Sequence, residues 1–271
     1  MSPTEGSPSQ MAAEMLREAL ERQRRFEQRR QTRMGRGAER LTAPIGGLLG
    51  RLLPPALIRR GLALADRAMG PTVPRAATAH SVDDLAACEA AAMRVQAWAS
   101  GTNAATGGAS GFFGAAGMTA DIPATIALAA RNVRATGAAF GFHGDDAEER
   151  LYRLMVLEVA ATAAEDGRRR SIENLNAMAA FLASPEGRLV LERGGTWVSD
   201  KVVERIARQL GFSLAGRKAG QMVPVIGGAV AAVVNASFQT DVARAARYAY
   251  RQRWLMERRM IAGVAEQGES T

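Results

Sequence analysis

The chain of 271 residues has a single cysteine and two histidines, so it has no intrachain disulfide and too few ligands for a zinc site. Aromatic residues supply only 5% of the chain, which leaves any core to be built mainly from small aliphatic side chains. The N-terminal residues are rich in Ser and Pro and form no apolar run of the signal-peptide kind, so the expected location is cytoplasmic, in keeping with the lone Cys88. No useful length of sequence alternates with period two, which argues against strands. Also missing are HExxH, a Ser nucleophile elbow, a phosphate-cradling Gly loop and any helix-turn-helix, RRM or zinc-finger pattern. The expectation is therefore a chain with no resident cofactor and no metal.

What is present is a positive surplus with a definite layout. Lys and Arg number 35 against 27 Asp and Glu, for a net charge of +8. Residues 1–70 carry 13 Arg and 7 acids, residues 71–240 are neutral, and residues 241–260 carry 6 Arg and 2 acids. Two basic ends thus flank a neutral body, a layout suited to an anionic surface such as lipid or nucleic acid.

Helical periodicity covers most of the chain. Residues 10–34 give a narrow apolar stripe through Met15, Leu16, Ala19, Gln23 and Phe26, with Glu18 and Arg22, and Glu21 and Arg25, four apart in the favourable order. A second short helix is expected over 52–69, and Gly70, Pro71 and Pro74 punctuate the boundary to the main domain. Ser81, Asp83 and Asp84 start a helix with Leu85, Cys88, Ala92, Val95 and Ala99 on one face, ending at Gly101. Cys88 lies on that stripe and reads as a core residue rather than a nucleophile. Further helices are expected from Asp145 to Gly167 and after Ser171, Ser184 and Ser199, with Pro185 at a first helical position. His80 and His143 read as surface turn residues. The fold class is all-α: a compact multi-helix domain over 46–260, a basic and partly disordered extension over 1–45 with one amphipathic helix, and a disordered tail over 261–271.

Two stretches are nearly without charge. From Val95 to Ala130 the only formally charged group is Asp121, and from Ala219 to Thr240 there is none. Twenty-two helical residues reach about 33 Å, but both stretches are rich in Ala, Gly, Ser and Thr, and their strongly apolar part is too short to span a bilayer. A buried hairpin, a shallow membrane segment and a span all remain open on this reading. On a wheel of one continuous helix Gly107, Gly111 and Gly114 share a face and Gly117 lies just beyond, while Gly227 marks the second stretch; these glycines admit a closely packed neighbour. Asp121, followed by Ile122 and Pro123, reads as a helix N-cap. The competing reading makes it a functional acid, paired with Asn235 or Asp241 where the two stretches meet.

Together the stretches resemble the EcsC family. The residues are Ala105-Thr106-Gly107, Gly111, Gly114, Gly117, Ala120 to Pro123, Leu128 and Arg131, then Pro224 to Gly227, Asn235, Phe238, Asp241, Val242, Ala245 and Arg253-Trp254-Leu255. The likeness covers roughly residues 50–257 and none of the first 45. It implies a bacterial protein of a family named for a gene that neighbours those of an ABC transporter and whose own activity is not established.

Three function classes fit these features. A non-enzymatic accessory protein, peripheral to the inner face of the cell membrane, uses the Gly-rich hairpin and the basic ends against anionic lipid or an integral membrane partner such as an ABC transporter. In it Arg244, Arg247 and Arg251 with Tyr248 and Trp254 form a basic, aromatic surface; the competing arrangement turns Ala246, Tyr250 and Trp254 inward. A hydrolase built on Asp121 with Asn235 or Asp241 is the second class, and nucleic-acid binding through the same arginines is the third.

Overall fold

The computed structural model describes residues 8–28, 79–111, 114–162, 165–192, 204 and 227–261. Among these residues there are seven helices and no strand: α1 (Pro8–Gln28), α2 (Leu85–Gly111), α3 (Gly114–Ala139), α4 (Ala147–Ala161), α5 (Glu165–Ala183), α6 (Pro185–Glu192) and α7 (Gly227–Glu257). The all-α class holds. The runs expected over 52–69 and after Ser199, and the tail over 262–271, lie outside the described residues.

Helix starts obey local chemistry closely. Asp84 accepts from the amides of Ala86 and Ala87 at 2.8 and 3.2 Å and opens α2. Asp146, one residue beyond the expected Asp145, caps α4 by accepting from Glu149 N at 2.7 Å, while Glu148 and Glu149 meet the positive end of the helix. Ser184 accepts from Gly187 N at 3.0 Å, with Pro185 at the first position of α6 as its sequence implies. Helix ends are less legible. α2 continues through Gly101 to Gly111, α4 stops at Ala161, and Ser171 lies inside α5, where its hydroxyl donates to Gly167 O at 3.0 Å. A glycine inside a helix costs only about 1 kcal/mol, which packing easily offsets.

The centre of the fold is α7, which packs against α1, α2, α3, α4 and α5. It runs antiparallel to α2: Trp254 Nε1 donates to Val82 O at 2.8 Å just before the start of α2, and Arg251 meets Glu89 one turn into it. α2 and α3 form an antiparallel hairpin, with the Arg131 guanidinium 3.5 Å from the Trp98 ring centroid. Close packing of α3 on α7 needs Gly137, where an added Cβ would stand 2.7 Å from Tyr250 Cζ. The chain turns after α3 at Gly141, the one described glycine with a positive φ, 91°.

Among the described residues, aromatics make up most of the largest buried side chains of the core. Trp254, Tyr152, Tyr248, Tyr250, Phe140 and Phe238 are its largest fully buried side chains. Leu85, Cys88, Ala92, Val95 and Ala99, the stripe read from the sequence, are all buried in the same core. Burial pushes the Cys88 thiol up to about 11, and its sulfur sits 3.6 Å from Val82 O, so it is a protonated packing residue.

Candidate functional site

The arginines of α7 fall into two groups. Near its C-terminal end Arg251 and Arg253 are buried and bonded to carboxylates, Arg251 to Glu89 of α2 and Arg253 to Glu149 of α4. Arg253 also meets Glu257 at 3.0 Å and lies over the rings of Phe142 and Tyr152. Two turns earlier, Arg244 and Arg247 are half-buried and have no carboxylate partner among the described residues. Arg247 Nε is buried there without a hydrogen-bond acceptor. Burial lowers the Arg247 pKa from its ordinary value, with Glu89 opposing that effect.

Arg244 and Arg247 open onto a cavity of about 370 Å³ between α1, α2, α4, α5 and α7. Four more arginines line it: Arg22 and Arg25 from α1, Arg168 from α5, and Arg251. Among the described residues two acids do so, Glu89 and Asp241. The remaining wall is Phe26, Met93, Val159, Ala160 and Tyr248. Arg22 and Arg25 are paired within α1 to Glu18 and Glu21, each at 2.8 Å, and Arg251 is taken by Glu89. The remaining guanidinium, Arg168, donates to Phe26 O at 3.1 Å and Glu27 O at 3.3 Å, the carbonyl end of α1, and stacks over Phe26. Burial lowers its pKa, with the nearby Asp241 opposing.

α1 is held in place by polar and aromatic contacts. Gln23 donates to Tyr248 O at 3.2 Å and to Gln252 Oε1 at 2.8 Å, and accepts from Arg251 Nη1 at 2.7 Å. The Tyr248 hydroxyl donates to Glu27 at 2.7 Å and accepts from Asn176 at 2.8 Å, while its ring stacks on Phe26 at 4.5 Å. These contacts make α1 one wall of the cavity.

Of the residues read as a basic and aromatic surface, Arg251, Tyr248 and Trp254 are instead interior. The reason is that α7 is covered by partners on several sides, and these three side chains find their polar partners within the protein. Arg244 and Arg247 retain access to the cavity. Asp241 is buried at its wall beside Arg168. Asp121 is not a helix N-cap, because α3 is helical from Gly114 through it. The side chains of Asp121 and Asn235 lie outside the described residues. Gly107 and Gly111 lie at the end of α2, Gly114 and Gly117 at the start of α3, and Gly227 opens α7, so these glycines are spread over three helices. His143 is exposed, whereas His80 is half-buried with Nε2 2.8 Å from Ala139 O.

Sequence reasoning missed Arg168, Glu89 and the role of α1. Glu89 carried a usable signal: a lone acid beside Cys88 and Ala92 on a buried face demands a cationic partner. Arg168 sat unmarked in an Arg triplet.

The chain matches the EcsC protein family over residues 14–255. It belongs to that family. The match begins inside α1, and so takes in the helix that the residue-by-residue likeness left out. No curated protein and no solved structure matches the chain. Among the described residues of this EcsC protein, no group of three or more His, Cys, Asp or Glu is placed to hold a metal ion. No described helix is long and apolar enough to cross a membrane.

Proposed function

We propose that this EcsC protein is a non-enzymatic accessory protein that attaches peripherally to an anionic membrane surface. One observation carries this reading: arginines far apart along the chain line one cavity, Arg22 and Arg25 of α1 from the first basic end and Arg244, Arg247 and Arg251 of α7 from the second. A net charge spread evenly over the surface would give only weak, unoriented attraction. Gathering it on one face gives the protein a defined side toward a negatively charged leaflet, where each basic group near the surface adds about 1 kcal/mol. The nearly uncharged ends of α2 and α3 add a second region whose sequence tolerates contact with the headgroup layer.

The test is flotation of the full chain with vesicles of phosphatidylcholine alone or mixed with phosphatidylglycerol, over a series of salt concentrations. The expected result is co-flotation with the anionic vesicles only, weakening as salt rises. Failure to float with anionic vesicles at low salt overturns the reading.

A further inference from the structure

The arginine cavity carries more than a general affinity for negative charge. A basic surface that only neutralises a leaflet keeps its guanidinium groups in water or paired. Here Arg247 is pulled off the surface, with a buried Nε–H that has no acceptor among the described residues. Leaving such a donor unsatisfied is costly, and a charged one more so. Beside it Arg244 has no carboxylate partner among the described residues, and Arg168 is oriented by two neutral carbonyls that do not cancel its charge. Of the two described acids in the wall, Glu89 is engaged by Arg251, so three guanidinium groups converge with Asp241 in the wall and Glu27 beside Arg168 as the acids near them. A positive surplus remains, which suits a phosphomonoester, whose second proton is lost with a pKa of about 6. Planar, multiply donating guanidinium groups suit the several oxygens of such a group.

Resting on the membrane reading, we propose that this cavity is a phosphomonoester site, with Arg168, Arg244 and Arg247 holding the phosphoryl oxygens. Phe26 and Met93 on its apolar wall receive the carbon skeleton that bears the phosphate. At about 370 Å³ the cavity takes a phosphate with a small polyol attached. The site discriminates a terminal phosphate from the phosphodiester of most lipid headgroups, because a diester carries one charge and presents fewer open oxygens.

The experiment uses the full chain and vesicles of phosphatidylcholine with either phosphatidic acid or phosphatidylglycerol, adjusted to equal surface charge, with glycerol 3-phosphate as a soluble probe. The expected preference for phosphatidic acid is about tenfold. Arg247→Gln brings that preference to about one and lowers phosphatidylglycerol affinity only by the about fivefold that one basic group near the surface supplies, and Arg247→Lys recovers only part of the preference. Arg244→Gln is the second variant should the first misfold, with far-UV circular dichroism as the control. Displacement of wild type from phosphatidic acid vesicles by glycerol 3-phosphate supports the site. Equal affinity of wild type for the two vesicles overturns the site and leaves membrane attachment standing. Saturable binding of glycerol 3-phosphate, abolished by Arg247→Gln, in a chain that floats with neither vesicle supports the site and removes the membrane reading.

Discussion

Helix α7 carries arginines under two regimes, and the contrast separates structure from availability. Arg251 and Arg253 are buried against Glu89 and Glu149. Arg244 and Arg247, less than three turns away on the same helix, face a cavity and have no such partner among the described residues. A buried pair is costly to break because the survivor is left charged in a poorly solvated place. A half-buried arginine without a partner has the opposite character: it weakens the fold slightly, and its guanidinium remains open to a ligand. The charge of a helix is thus no guide to its role until the partner of each residue is known.

The comparison can be broken most forcefully at the paired end. Glu149→Ala strands Arg253 beside Glu257 alone and is expected to lower stability by about 3–5 kcal/mol in urea unfolding. A loss below about 1 kcal/mol would remove the distinction between the two regimes. Gly137→Ala pushes against the Tyr250 ring, which is fully buried and cannot swing away, and is expected to cost about 1–3 kcal/mol, read from the same unfolding curves. Tyr248→Phe removes the hydroxyl that joins Glu27 of α1 to Asn176 of α5; about 1–2 kcal/mol should be lost, with earlier proteolysis of α1.

At the cavity the sign reverses. Arg247→Met relieves an unsatisfied buried donor and is expected to leave stability unchanged or raise it by up to about 1 kcal/mol, while vesicle affinity falls. The smallest effect is at Asp145, whose pKa is lowered by its hydrogen bond from Arg134 at 3.0 Å. A carboxyl depressed in the folded state stabilises above its unfolded pKa, and that contribution is lost as pH falls through the lower folded value. Because Asp145 is largely exposed, Asp145→Asn should change stability only slightly at neutral pH, and the difference from wild type should vanish in strong acid.

The parts of the fold visible in the sequence were those governed by neighbours along the chain. The stripe from Leu85 to Ala99, the Ser184–Pro185 start and the i,i+4 pairs of α1 are local, and each appears as expected. The EcsC likeness rested on spaced small residues and was equally legible, since such spacing survives in sequence. The candidate site was half legible: Arg244, Arg247 and Asp241 were named, but Arg168 and Glu89 were not. Their importance depends on contacts across 162 positions for Glu89 and Arg251 and across more than 140 for Arg168 and α1. The same limit explains Tyr248 and Trp254. Amphipathic aromatics beside arginines suit an interface or a core equally, and only the carbonyl and carboxylate they meet at distant positions decides between the two.

By itself, then, the amino-acid sequence determined an all-helical chain, its family, and a charge confined to two ends around a neutral body. Those are properties of composition and short-range spacing. Only the tertiary structure decided which arginines are spent on internal carboxylates and which converge on one cavity, because pairing depends on the docking of α1, α2 and α5 around α7. Of the arginines behind that net charge of +8, the folded chain brings six from α1, α5 and α7 to one cavity and leaves three of those, Arg168, Arg244 and Arg247, without a carboxylate bound to them among the described residues.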